Sequence, residues 1–167
     1  TDIMRALPDG QVHTRLASLT VQDFRNYDCC RLEIDAPKVL LLGENGSGKT
    51  NLMEAVSLLA PGRGLRRAKA EHLPRQTTGR ADWAVSARVT SGGETVTLGT
   101  GVRADSDGPR RVMRRDSETV SQAEVGRLFS VSWLTPRMDG IFIDSPGARR
   151  RFLDRLVIAF DPAHIGR

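Results

Sequence analysis

Cysteine is almost missing from this 167-residue chain: Cys29 and Cys30 are the only two, and they are neighbours without a C-x-x-C partner. A disulfide framework and a cysteine-held zinc are thereby excluded, and a reducing, cytoplasmic setting is expected. Histidine is as scarce, and His13, His72 and His164 lie too far apart to form a ligand set. No apolar run approaches the roughly 18 residues of a membrane-spanning helix, and Thr1 to Gly10 lack the apolar core of a signal peptide. No membrane partner is expected. There is no initiator Met, which points to a trimmed or engineered start, and no internal repeat or low-complexity linker divides the chain. The length is that of one domain, enough to bury roughly 70% of its unfolded surface.

What is present begins with Gly43-Glu44-Asn45-Gly46-Ser47-Gly48-Lys49-Thr50, which meets every fixed position of the phosphate-binding loop G-x-x-x-x-G-K-[ST]. The apolar run Val39 to Leu42 before it predicts a buried strand, and Asn51 to Ala60 after it a helix. In such a loop the glycines let backbone N–H groups turn in on a di- or triphosphate, and the helix start adds partial positive charge. Lys49 would reach the β and γ phosphates, and Thr50 would ligate Mg²⁺.

The charge is uneven. Residues 1–60 hold 6 basic and 8 acidic side chains, whereas residues 61–167 hold 19 and 12. The excess gathers in Arg63 to Arg80, Arg103 to Arg115 and Arg149 to Arg155. Such clusters can follow a phosphate backbone or form a solvated face.

Leu16 to Phe24 and Cys30 to Asp35 read as strands joined by Arg25-Asn26-Tyr27-Asp28, the second alternating with period two. Leu52, Ala55, Val56 and Leu59 form one apolar helix face, ended by Pro61-Gly62. Alternating strands around Trp83 to Val89 and Val96 to Leu98 flank Ser91-Gly92-Gly93-Glu94, a hairpin. The strand character of the basic stretch after Pro109 is left open. Ser121-Gln122-Ala123-Glu124 fits a capping box opening a short helix toward Phe129, Val131 to Leu134 reads as a buried strand, and Ser145-Pro146 starts a helix reaching Phe160.

Antiparallel strands ahead of the phosphate loop resemble the head of an ATP-binding-cassette (ABC) protein. Asp23-Phe24-Arg25-Asn26-Tyr27 and the loop itself resemble its DNA-repair branch of SMC-like heads. Pro136, Ile141-Phe142, Ser145-Pro146 and Arg149-Arg150-Arg151-Phe152-Leu153-Asp154 resemble the signature of the RecF family within it. Arg137 and Asp144 depart from that signature, where the family usually has an acid and a glycine.

The resemblance covers roughly residues 14–162. It implies an α/β fold: a P-loop NTPase of ABC-ATPase type, with a mixed sheet and an antiparallel β subregion, truncated before a helical arm. The expected division is a leader at 1–12, the N-terminal part of the head at 13–162, and the entry to the arm at 163–167.

Two further ABC elements have only lookalikes here. Ser91-Gly92-Gly93-Glu94 imitates the signature but reads as a turn, and Val157-Ile158-Ala159-Phe160-Asp161 imitates the acidic strand end but continues a helix into Pro162. Turnover by this piece alone is therefore not expected, although the parent resembles a slow DNA-dependent ATPase.

By the same resemblance, ATP and Mg²⁺ are the cofactors. Gly43 to Thr50 hold the triphosphate, and Arg25 and Asn26 approach base and ribose, with a plain polar turn as the alternative. Asp139 is a candidate metal or water contact. Arg63, Arg66, Arg67 and Lys69 form the basic loop nearest the nucleotide, while Arg149 and Arg150 are equally a structural face or a DNA contact. The implied partners are double-stranded DNA and its junctions with single strands, RecR and RecO, and a second copy joined under ATP, in a nucleoid-associated setting. The alternative is the ATP-binding subunit of a membrane transporter.

Overall fold

Period-two alternation, with Val, Leu and Trp on one side and Thr, Ser and Arg on the other, shapes the sheet. In the computed structural model residues 14–79, 81–103, 110–138 and 145–160 are described. Six strands form one sheet: β1 (Arg15–Phe24), β2 (Tyr27–Glu33), β3 (Trp83–Ser91), β4 (Glu94–Arg103), β5 (Arg110–Arg115) and β6 (Glu118–Val120). Their order is β2-β1-β3-β4-β5-β6, and every pair is antiparallel. Among the described residues three α-helices accompany them: α1 (Lys49–Leu58), α2 (Gln122–Leu128) and α3 (Pro146–Phe160).

The turns explain the register. Gly92 (φ 60°) and Gly93 (φ 87°) form the two-residue connection of β3 and β4, so the hairpin reading of Ser91 to Glu94 holds. Asp116 and Ser117, also at positive φ, turn β5 into β6, and this settles the basic stretch as a strand. Arg25 (φ 56°) and Asn26 join β1 to β2 in a tighter turn than expected. This corner is fastened from outside the hairpin: Arg25 N–H donates to Leu73 O at 2.9 Å, and Arg75 N–H to Asp23 O at 2.8 Å.

One face of the sheet carries the core. Leu19, Val21, Phe24, Trp83, Val85, Ala87, Val89, Leu98, Val102 and Met113 are buried there with Leu52, Ala55 and Leu58 from α1 and Leu59 just after it. Phe24 and Trp83 meet with ring centroids 5.6 Å apart. The expected apolar face of α1 is present, and the capping box opens α2 as read.

Two expectations are overturned. Val39 to Leu42 and Val131 to Leu134 form no strand; Leu40 is 79% exposed and Leu42 and Leu134 are each 81% exposed. An apolar run becomes a buried strand only beside a ladder partner, and none runs along either segment among the described residues. The residues expected as leader and as arm entry lie outside the described residues, as do Asp139 and Asp144.

Candidate nucleotide site

The phosphate loop takes its shape from glycines at the points where the chain must turn back on itself. Gly43 (φ 153°), Gly46 (φ 87°) and Gly48 (φ 103°) occupy backbone conformations that side chains resist. Gly48 is the residue before α1, and no side chain caps that helix. The early N–H groups of α1 therefore face the loop without a side-chain acceptor. Lys49 bends back over the loop, its Nζ donating to Gly43 O and Glu44 O at 2.6 Å each. An ammonium, a helix start and three positive-φ glycines gathered in one loop suit the oxygens of a polyphosphate. Thr50, exposed in the first turn of α1, carries a hydroxyl of the kind that ligates Mg²⁺ in such loops.

The β1–β2 turn lies directly on this loop. A Cβ at Gly48 would fall 2.6 Å from Tyr27 Oη and 2.7 Å from Asn26 Nδ2. Burial first, and Cys30 second, push the Tyr27 phenol above its ordinary pKa. Asn26 accepts from Asn51 Nδ2 through Oδ1 at 2.7 Å and reaches toward Ser47 O with its own amide at 3.5 Å.

Arg25 points elsewhere. Its guanidinium donates from Nε and Nη2 to Glu54, at 2.9 and 2.7 Å, and from Nη1 to His72 O. Glu54, 1% exposed on α1, also receives Arg66 at 2.8 Å, and the same Arg66 nitrogen donates to Asn51 Oδ1. Of the basic-loop residues, then, Arg66 is held against α1, Lys69 lies 3.5 Å from Glu71, and Arg63 and Arg67 are exposed. Arg149 is half-buried and Arg150 exposed on α3. Among the described residues no cluster of metal-ligating side chains stands apart from the loop.

Glu54 and Arg111 escaped the sequence reading. An acid between Met53 and Ala55 inside an apolar helix stretch was the available signal for the first. Arg111 sits in β5 and stretches to the far end of α1, donating to Leu58 O, to Gly62 O at 2.5 Å and to Thr100 Oγ1 at 2.8 Å. Burial holds its pKa down at about 10. Nothing in a run of arginines told this one from its neighbours.

A glycine-cradled phosphate loop, flanked by a six-stranded antiparallel sheet and leading into a buried helix, defines a P-loop nucleotide-binding domain. The chain belongs to the AAA-domain family, whose model matches residues 18–123. Its resemblance is to RecF, and the family read from the sequence is borne out together with its type of head. The chain is 47% identical over 154 residues to the DNA replication and repair protein RecF of Caulobacter vibrioides, covering 89% of this chain and 39% of that protein. For the RecF of Agrobacterium fabrum the identity is 45% over 150 residues, with 89% and 40% covered. The chain thus spans about two fifths of the length of the curated relatives it matches. It also superposes on a solved structure of the recombination mediator protein RecF-ATPrS in the RecFOR pathway, with TM-score 0.79, 26% identity, and 92% of this chain and 40% of that one covered. The corresponding RecF-ATP structure gives TM-score 0.75 at 26% identity, covering 90% and 41%. No helix among the described residues is long and apolar enough to cross a membrane.

Proposed function

We propose that this chain holds ATP within a RecF-type recombination mediator that acts on DNA in repair and replication restart. The observation that carries the reading is the geometry of Gly43 to Lys49, in a chain similar to a RecF structure containing ATP. Backbone N–H groups of the loop and Lys49 bind the triphosphate, and Thr50 offers its hydroxyl to Mg²⁺, which supplies charge neutralisation at the β and γ phosphates when bound. Asn26 and Tyr27, lying on the loop, form the side from which base and ribose are approached.

ATP at this site governs the pairing of two copies on duplex DNA beside single-stranded gaps, with RecR and RecO as partners. Similarity to the protein of the RecFOR pathway supports this. Arg63 and Arg67 are the basic-loop residues whose placement leaves them open to a DNA phosphate. Arg66 is committed to Glu54. The protein is nucleoid-associated in the cytoplasm on this reading.

The test uses the product of the complete gene. Lys49→Ala is expected to abolish ATP-dependent pairing in light scattering while leaving basal DNA binding, and unchanged pairing refutes the proposal. Replacing Arg63 or Arg67 by Ala should lower the slope of log K against log salt by about 0.9 for each phosphate contact removed. Arg66→Ala should change it less.

A further inference from the structure

Glu54 places a negative charge in the interior of α1, where its neighbours are core side chains. An isolated buried carboxylate is strongly unfavourable, and an apolar residue of similar size would often stabilise the fold as well or better. Here both oxygens are taken, by the two donors of Arg25 and by Arg66. Two routes lead from this anion to one residue. Along the backbone, Glu54 holds Arg25, whose left-handed conformation (φ 56°) immediately precedes Asn26. Through side chains, Glu54 holds Arg66, Arg66 holds Asn51, and Asn51 holds the Asn26 amide. Asn26 in turn lies against Gly48 with no room for even a methyl group between them.

We infer that Glu54 is a positioning residue of the nucleotide site, acting through Asn26 to fix the β1–β2 turn on the phosphate loop. The inference rests on reading that turn as the base and ribose side of the site. Because the phosphate cradle is made by the loop's own backbone, losing the anion loosens the grip on the nucleoside and leaves the grip on the phosphates. A role confined to stability has no such selectivity.

The experiment compares ATP with inorganic tripolyphosphate by calorimetric titration of the complete gene product, alongside thermal melts. Glu54→Gln keeps the shape and removes the charge. Asn51→Ala cuts the side-chain route at a half-buried position and serves if the first variant does not fold. Each is expected to weaken ATP about tenfold while tripolyphosphate changes less than about twofold. Equal weakening of both ligands in a folded variant, or ATP affinity unchanged in a folded Glu54→Gln, overturns the inference. Failure of the underlying readings is seen in the wild type. Binding of neither ligand sinks the nucleotide site, and tripolyphosphate bound as tightly as ATP sinks the nucleoside-facing turn and this inference with it.

Discussion

The helices α1 and α2 begin in opposite ways. α2 is closed by its own chain: Glu124 N–H donates to Ser121 Oγ at 3.2 Å, and the Glu124 carboxylate accepts from Ser121 N–H at 2.8 Å. α1 begins on a glycine, with no side-chain cap and no acid in its first turn. The four orphan N–H groups at a helix start need acceptors, so the difference lies in who supplies them. In α2 the supplier is a serine–glutamate pair fixed by sequence; in α1 no side chain supplies one, and Asn51 N–H turns instead to Gly48 O at 2.8 Å. What α1 forgoes at its start it recovers elsewhere, from Arg111 on the carbonyls near its end and from burial on the sheet.

The sharpest way to break this comparison is to remove the support at the far end. Arg111→Ala leaves the Leu58 and Gly62 carbonyls without their donor and should lower stability by about 3 kcal/mol. On a domain of this size that is a fall of roughly 6 to 12 °C in melting temperature. A shift under about 2 °C would mean that α1 does not depend on this cation.

Next in size is closing the open end. Gly48→Ala forces a side chain into φ 103° and toward Tyr27 Oη and Asn26 Nδ2. Strain of about 1–2 kcal/mol is expected, with nucleotide affinity reduced at least about tenfold. Titration of folded variant with wild-type affinity would contradict the close seating of the turn.

The smallest effect concerns α2. Its Ser121 hydrogen bonds, side chain first and backbone second, hold the Glu124 carboxyl below its ordinary 4.5. That contribution is present above 4.5 and disappears as pH falls through the lowered folded value. The protection factors of the first amides of α2, with exchange referred to its intrinsic rate at each pH, should therefore fall in acid, and Glu124→Gln should remove the dependence. α1, having no acid in its first turn, should show no matching step.

The phosphate loop, the Gly92–Gly93 hairpin and the Ser121 capping box were legible because each is local chemistry, complete within eight residues or fewer. Val39 to Leu42 misled because hydrophobicity reports a wish for burial, whereas a strand also needs a neighbour. Arg25 lay in the right turn, but its charge went to Glu54, 29 positions away, and Arg66 joined the same acid from the other side. Pairings of that range depend on how β1, α1 and the basic loop stack. No spacing in the chain encodes them, and the same holds for Arg111, whose partners are backbone carbonyls about 50 positions earlier.

The seating of Asn26 and Tyr27 on Gly48 also orders events in time. The β1–β2 hairpin is local and belongs to the class of structure that forms in about 1–10 μs. Its corner is pinned only once Leu73 and Arg75 have arrived, because those residues exchange backbone hydrogen bonds with Arg25 and Asp23. On refolding, recovery of nucleotide binding should therefore lag behind recovery of strand signal, making the bound nucleotide a clock for the last docking step rather than for collapse.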